Sequence, residues 1–469
     1  MIQPIKLYNT LTKTVEVFTP KSPPKVSVYC CGPTVYNFQH IGNLRAYIFE
    51  DLLVRALRQS KFAVTHVMNI TDVGHLVSDG DEGDDKMLVA MRREGKKSHE
   101  IAAFYTDVFL KDCANLNIRR PDIVCKATDH IPEMIALTEK LITRGFAYLS
   151  NGNVYFDVAK LPDYGKLARL DLAKLQAGAR IDVDQAKRSP FDFVLWFTKS
   201  KFENQELLWD SPWGPGYPGW HIECSAMAMK YLGDEIDIHC GGIDHIPVHH
   251  TNEIAQSEAA TGKPWVSVWM HGEFLVINSQ KMAKSAGNFL TLDLLCSEGL
   301  DPLAYRLFIL SGHYRTQLNF SSDAIKGAAQ SFASLKSSYL ATKAQALADI
   351  PAPSDDLQLY REAFINSVHN DLNMPQAIAA LWQVLQAPAL RAEQKLTLLL
   401  DFDCYLGLGM AEWVEQQVTV PGAVQALLEQ RIKARDEKRW ADSDILRDQI
   451  KALGYLVEDG KEGMRVRAI

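Results

Sequence analysis

The sequence predicts an α/β fold with a phosphate-binding helix start near its N-terminus, and three observations point there. A strand-like run, Lys25-Val26-Ser27-Val28-Tyr29-Cys30, breaks at Cys31-Gly32-Pro33-Thr34. An apolar-periodic helix then begins near Ile41 and runs through Ala46, Phe49, Leu52 and Leu53. Much further on, the segment 301–410 is helix-patterned, with Leu- and Ala-rich periodic faces.

The helix start matters because free backbone N–H groups and the dipole at a helix N-terminus favour anions. Gly42 allows a phosphate chain close approach, and His40 and Asn43 add side-chain donors. Downstream, the polar stretch 278–288 holds Lys281 and Lys284, two ammonium groups suited to close over the same phosphates. Taken singly, these are equally a helix start and a solvated lysine pair. Their order within an α/β pattern reads as an ATP site, with Mg²⁺ accompanying the nucleotide. The acid- and glycine-rich stretch 78–86 does not match the spacing of a calcium loop and reads as solvated surface.

Composition sets the outer bounds. At 469 residues the chain allows about three domains of ordinary size. With 47% hydrophobic and 23% charged residues it reads as globular, and no apolar run is long enough to span a bilayer. The N-terminus lacks a charged-then-apolar leader pattern, and eight scattered cysteines fit a reducing compartment, so a cytoplasmic location is expected. A net charge of −7 argues against indiscriminate nucleic-acid binding, although basic residues concentrated on one face remain compatible with RNA. Such a concentration occurs at Arg431, Lys433, Arg435, Lys438 and Arg439, followed by Trp440. Cations there would grip phosphates while an exposed ring stacks on an unpaired base; the alternative is a solvated helix with Trp440 packed beneath it.

Several runs together resemble the cysteinyl-tRNA synthetase family of class I. They are Leu7-Tyr8-Asn9-Thr10-Leu11-Thr12, Tyr29-Cys30-Cys31-Gly32-Pro33-Thr34-Val35-Tyr36, His40-Ile41-Gly42-Asn43 and Asn69-Ile70-Thr71-Asp72. Pro218-Gly219-Trp220-His221-Ile222-Glu223-Cys224-Ser225-Ala226-Met227, Asp237-Ile238-His239, Asn252-Glu253-Ile254-Ala255-Gln256 and Lys281-Met282-Ala283-Lys284-Ser285 complete the set. The resemblance implies a Rossmann-type parallel-sheet catalytic domain split over 1–115 and 208–300, with a connective insertion at 116–207. An α-helical bundle at 301–410 and a small C-terminal anticodon-binding domain at 411–469 would follow. It implies activation of L-cysteine with ATP and transfer to tRNA(Cys) by a monomer, with His40, Asn43, Lys281 and Lys284 at the phosphates. An amino-sugar cysteine ligase resembles the same family, and the basic C-terminal stretch separates it from this chain.

Read from the residues alone, Cys224, His249 and Glu253 are competent zinc donors, and the last two share a helix face at i,i+4. Their wide separation leaves a buried structural cysteine an equal reading. The resemblance implies that Cys31, Cys224, His249 and Glu253 hold one Zn²⁺. A metal would solve a selection problem, since a simple pocket separates near-isosteres such as cysteine and serine only about a hundredfold. A thiolate is a far better zinc ligand than a hydroxyl. Gly32, Thr71, Trp220 and Asp244 are expected to contact substrate, Trp220 as a pocket wall and Thr71 and Asp244 as polar contacts, the last two being equally fold residues. Arg431, Arg435, Arg439 and Trp440 are expected to meet tRNA. Cys240 reads as packing, and His250 as a neighbour of the metal or the ATP pocket. Three positions depart from the family pattern: Asn43 stands for a usual histidine, Ala283 for a serine and Thr251 for a glutamate.

Overall fold

The computed structural model describes residues 1–74, 86–170, 186–199, 206–277, 280–281, 289–346, 357–414, 421–460 and 463–468. The core is a sheet of five parallel strands: β1 (Lys25–Cys30), β2 (Ala63–Ile70), β3 (Ile123–Lys126), β4 (Ile236–Gly242) and β5 (Val266–Gly272). Their spatial order is β3-β2-β1-β4-β5. That order reverses between β1 and β4, and the crevice at the carboxyl ends of those strands is where doubly wound sheets bind ligands. Burial on both faces explains their composition. Val26, Val28 and Tyr29 on β1 are fully or almost fully enclosed, as are Ile236 and Ile238 on β4.

Helix α1 (Ile41–Gln59) follows β1 and buries Ile41, Leu44, Ile48 and Leu52 at helical spacing. Its first turn is closed by a reciprocal cap: the Asn43 backbone N–H donates to His40 Nδ1 at 3.0 Å, and the His40 N–H donates to Asn43 Oδ1 at 3.3 Å. Helices α2 (Trp220–Leu232) and α3 (His249–Thr261) pack together beside β4. Gln256 ties them, its amide donating to His221 O at 2.9 Å and Ser225 Oγ at 3.1 Å.

Between β3 and α2 an antiparallel sheet forms from Ala147–Ser150, Asn153–Phe156, Phe193–Phe197 and Tyr217–Pro218. This corrects the expected insertion limits of 116–207. Ile123–Lys126 pairs with β2 in the central sheet, whereas Tyr217–Pro218 belongs to the smaller one. Five helices follow: Pro302–Leu310, Ser322–Ala346, Leu357–His369, Met374–Gln386 and Ala392–Leu406. Their interior includes Phe364 stacked on Phe402 at 3.9 Å between centroids.

The chain divides into two compact units, 1–411 and 412–469. In the second, helices Gly422–Asp436 and Trp440–Ala452 and the hairpin Tyr455–Gly460/Gly463–Ala468 share a core of Val424, Leu428 and Ile450. Among the described residues no helix is long and apolar enough to cross a membrane. Of the stretch 78–86 only Lys86 is described, and Met282, Ala283 and Lys284 lie outside the described residues.

Candidate active site and metal centre

Strand alternation sorts the adjacent cysteines. Cys30 lies directly across from Cys240 in the register of β1 and β4, and both are fully buried. The next residue, Cys31, turns to the other side of the sheet and meets α3. Its Sγ lies 3.3 Å from His250 Nε2 and 3.9 Å from Glu253 Oε1. The turn that follows is pinned by Asn69, whose Oδ1 accepts from the Gly32 N–H at 2.8 Å and whose amide donates to Thr71 Oγ1 at 2.9 Å. A β-carbon at Gly32 would fall 1.6 Å from Asn69 O, so this close approach excludes every other residue.

The four expected metal donors converge. One donor atom from each of Cys31, Cys224, His249 and Glu253 lies within 4.8 Å of the other three, and all four residues are buried. A second set, Cys31, His239, His250 and Glu253, meets the same limit and shares two members. His249 Nε2 sits 3.1 Å from Glu253 Oε1, and His239 Nε2 holds the other carboxylate oxygen at 2.9 Å. Burial resists a charge on Glu253, but His239 and His249 outweigh it and hold the carboxyl down to about 2. Burial also opposes protonation of His249, yet Glu253 keeps it well above its ordinary range. The Cys31 thiol holds Cys224 down to about 7, while burial pushes Cys31 itself far up. Two sulfurs, an imidazole and an ionised carboxylate in one dry cluster suit zinc.

Outer partners orient these donors, as metal sites require. His249 Nδ1 is 2.9 Å from His221 Nδ1. A chain runs from Cys31 through His250 to His271 Nε2 at 2.8 Å, and from His271 Nδ1 to Thr10 Oγ1 at 2.8 Å. His221, His239, His271, Thr10 and Asn69 are supports that motif reading passes over. On β4 the signal was available: His239 and Gly241 share the face opposite Cys240. Thr251, at the departing position, donates to Ile246 O at 2.8 Å and caps the start of α3.

Around the cluster, Trp220 is half-buried with its ring 4.8 Å from that of His249, and Lys86 Nζ stands 5.3 Å from its centre. Thr71 is buried beneath the Gly32 turn, whereas Asp244 is exposed on the turn Ile243–His245 after β4. His245, on the same turn, has its Nδ1 closed off from solvent without a hydrogen-bond partner among the described residues. Burial and the neighbouring His249 hold its pKa down to about 4, so the ring is neutral.

At the phosphate end, His40 and Asn43 occupy the first turn of α1 with Gly42 between them. Leu275–Ile277 pairs antiparallel with Gln280–Lys281, placing Lys281 on a strand whose partner, Val276, follows Leu275. Leu275 lies beside Gly42, and beyond the lysines Leu290 O accepts the Ile41 N–H at 2.9 Å while Phe289 packs edge-on to His40. Both ends of the lysine segment are therefore anchored at the start of α1.

In the second unit Trp440 is 57% exposed, which favours a ring available for stacking over one packed beneath a helix. Arg435 lies over it at 5.7 Å, and exposed Arg439 pairs with Glu437 and Asp442. Arg431 does not belong to a phosphate-facing stripe. It is 1% exposed and its guanidinium contacts Met464 Sδ, because positions 424, 428 and 431 fall on one inward helix face.

Comparison with known proteins matches residues 17–330 to the class I (C) tRNA synthetase catalytic domain and residues 418–467 to the cysteinyl-tRNA ligase anticodon binding domain. A cysteine–tRNA ligase of Treponema denticola is 47% identical over 97% of this chain and 98% of its own length. Cysteine–tRNA ligase 1 of Burkholderia lata is likewise 47% identical, over 99% of this chain and 97% of its own. A methionyl-tRNA synthetase structure from Mycobacterium tuberculosis superposes with a TM-score of 0.57 at 16% identity, covering 82% of this chain and 90% of that one. A leucyl enzyme from Agrobacterium radiobacter, bound to tRNA, gives 0.59 at 12% identity, with 84% and 85% covered.

Proposed function

Because the chain belongs to the cysteine–tRNA ligase family of class I, we propose that the β1–β4 crevice activates L-cysteine with ATP and delivers it to the terminal adenosine of tRNA(Cys). The observation that carries this reading is the convergence of Cys31, Cys224, His249 and Glu253 at the carboxyl edge of the sheet. A zinc ion held by these four supplies a soft position that accepts a thiolate and disfavours a hydroxyl, which selects cysteine over serine.

The chain's own residues do the rest. His40 uses Nδ1 to accept from Asn43 N, so its proton resides on Nε2 and that edge donates to a phosphate oxygen. The Asn43 carbonyl oxygen is committed to the cap, leaving its amide hydrogens to face the nucleotide. Asn43 thus supplies neutral donors where the usual histidine can carry charge, and Lys281 and Lys284 provide the cations as pyrophosphate departs. Thr71 and the Gly32 turn orient the amino acid's main-chain groups, Trp220 walls the pocket, and Asp244 meets the ribose. With the carboxylate lined up on the α-phosphorus of Mg²⁺-bound ATP, positioning accounts for much of the rate and no enzyme nucleophile is required. Arg435, Arg439 and Trp440 serve the anticodon loop, and the enzyme acts as a cytoplasmic monomer.

The test is ATP-dependent attachment of labelled cysteine to tRNA, run beside serine and beside chelator-treated protein. Charging with cysteine alone, lost on zinc removal, is the expected result. Cysteine-driven pyrophosphate exchange without charging would overturn tRNA as the acceptor.

A further inference from the structure

His245 sits where the amino acid must enter, and nothing in the reaction described so far uses it. Strand alternation puts Gly241 on the same face of β4 as His239, the face carrying the metal donors. A β-carbon at Gly241 would lie 2.6 Å from His245 Nδ1 and 3.0 Å from His250 Nε2, so the imidazole is seated in space that exists only because that side chain is absent. His250 Nε2 is in turn 3.3 Å from Cys31 Sγ, which brings His245 Nδ1 to within about one ring's breadth of the sulfur donors. Two rings flank His249 on the crevice side: Trp220 at 4.8 Å and His245 at 5.2 Å between centroids. A ligand atom approaching the donors beside His249 passes between them.

A buried imidazole nitrogen without a partner in a folded protein calls for an explanation, and a bound ligand is one. Resting on the reading that a substrate thiol binds at the metal donors, we infer that His245 is a specificity residue whose Nδ1–H donates a hydrogen bond to the sulfur of the incoming cysteine. The bond rewards a thiolate, a charged acceptor, over a hydroxyl that keeps its proton. His245 thereby adds to the selection made by the donor set through a different group and a different force.

The experiment measures binding of L-cysteine, 3-mercaptopropionate and cysteamine to zinc-loaded wild type, His245→Leu and His245→Asn by calorimetry, with zinc content and serine activation measured alongside. His245→Leu should weaken all three thiols by about 10- to 100-fold, the range for a hydrogen bond to a charged group, with zinc content and serine activation unchanged. His245→Asn restores an N–H at a similar place and should recover most of that loss. Loss confined to ligands bearing an ammonium or a carboxylate, equal loss for serine, or no loss would overturn the assignment. If metal-stripped wild type bound the thiols as well as the zinc-loaded protein, the metal reading itself would fall, a result distinct from these.

Discussion

Gly32 shows how little freedom the site allows at the level of one residue. A β-carbon there would overlap Asn69 O, so Gly32→Ala must displace the turn that carries Cys31. Displacement by about 1 Å is worth about a hundredfold in rate, and kcat/KM for cysteine activation should fall at least that far, with reduced zinc content on elemental analysis. His221 acts one step out, through Nδ1 of His249. His221→Leu should weaken zinc affinity by about 10- to 100-fold in competition with a chromophoric chelator, and unchanged affinity would remove it from the support. Sequence reasoning reaches these residues unevenly. His249 and Glu253 announce themselves by i,i+4 spacing, but Cys31 and Cys224 come from separate elements and only family resemblance joins them. Supports such as His239 and His271 look like ordinary core in a sequence. Arg431 misleads in the opposite direction, because its charge suggested a surface while its spacing from Val424 and Leu428 set it inside.

Among the elements, β2 and α1 carry separable predictions. His66 on β2 is 4% exposed, its Nε2 has no hydrogen-bond partner among the described residues, and burial holds it down to about 4 from an ordinary 6.5. Between those values the unfolded chain binds more protons than the folded one, so stability falls as pH falls through this window and the full contribution is present above it. About 2 kcal/mol of the stability lost between about pH 7 and about pH 5 should trace to His66, and His66→Gln should flatten that part of the urea-denaturation profile. For α1, Asn43→Ala removes the acceptor for the His40 N–H and should cost about 1 kcal/mol in addition to its effect on ATP binding. The positions of both elements are legible from strand patterning, the Gly-Pro break and the apolar period. The pairing of Ile123–Lys126 with β2 is not, since four residues carry no period that tells a central strand from an inserted one.

At the scale of the molecule, a buried charge cluster joins α1 to the helical bundle. Asp51 accepts from Arg55 at 2.7 Å and from Arg306 at 2.5 Å, and Arg306, fully buried, also donates to Leu406 O at 2.7 Å and Leu116 O at 2.9 Å. Arg306→Met strands part of a buried charge and several carbonyls, and should destabilise unit 1–411 by about 3 kcal/mol in chemical denaturation. Breaking the more exposed Arg58–Asp122 pair should cost less than about 1 kcal/mol by the same measurement.

The strand order also governs what happens while the chain is being made. β3, β2 and β1 can pair as soon as residue 126 is available, but β1 must wait for Ile236–Gly242 before its other edge is covered. Throughout that interval a nascent chain presents Val26, Val28 and a row of unpaired backbone groups, the kind of edge that recruits other strands. The metal offers no early rescue, because Glu253, its last donor, emerges after β4 itself. A ribosome that stalls between β3 and β4 therefore leaves its product sticky and metal-free, a substrate for holding chaperones until translation resumes.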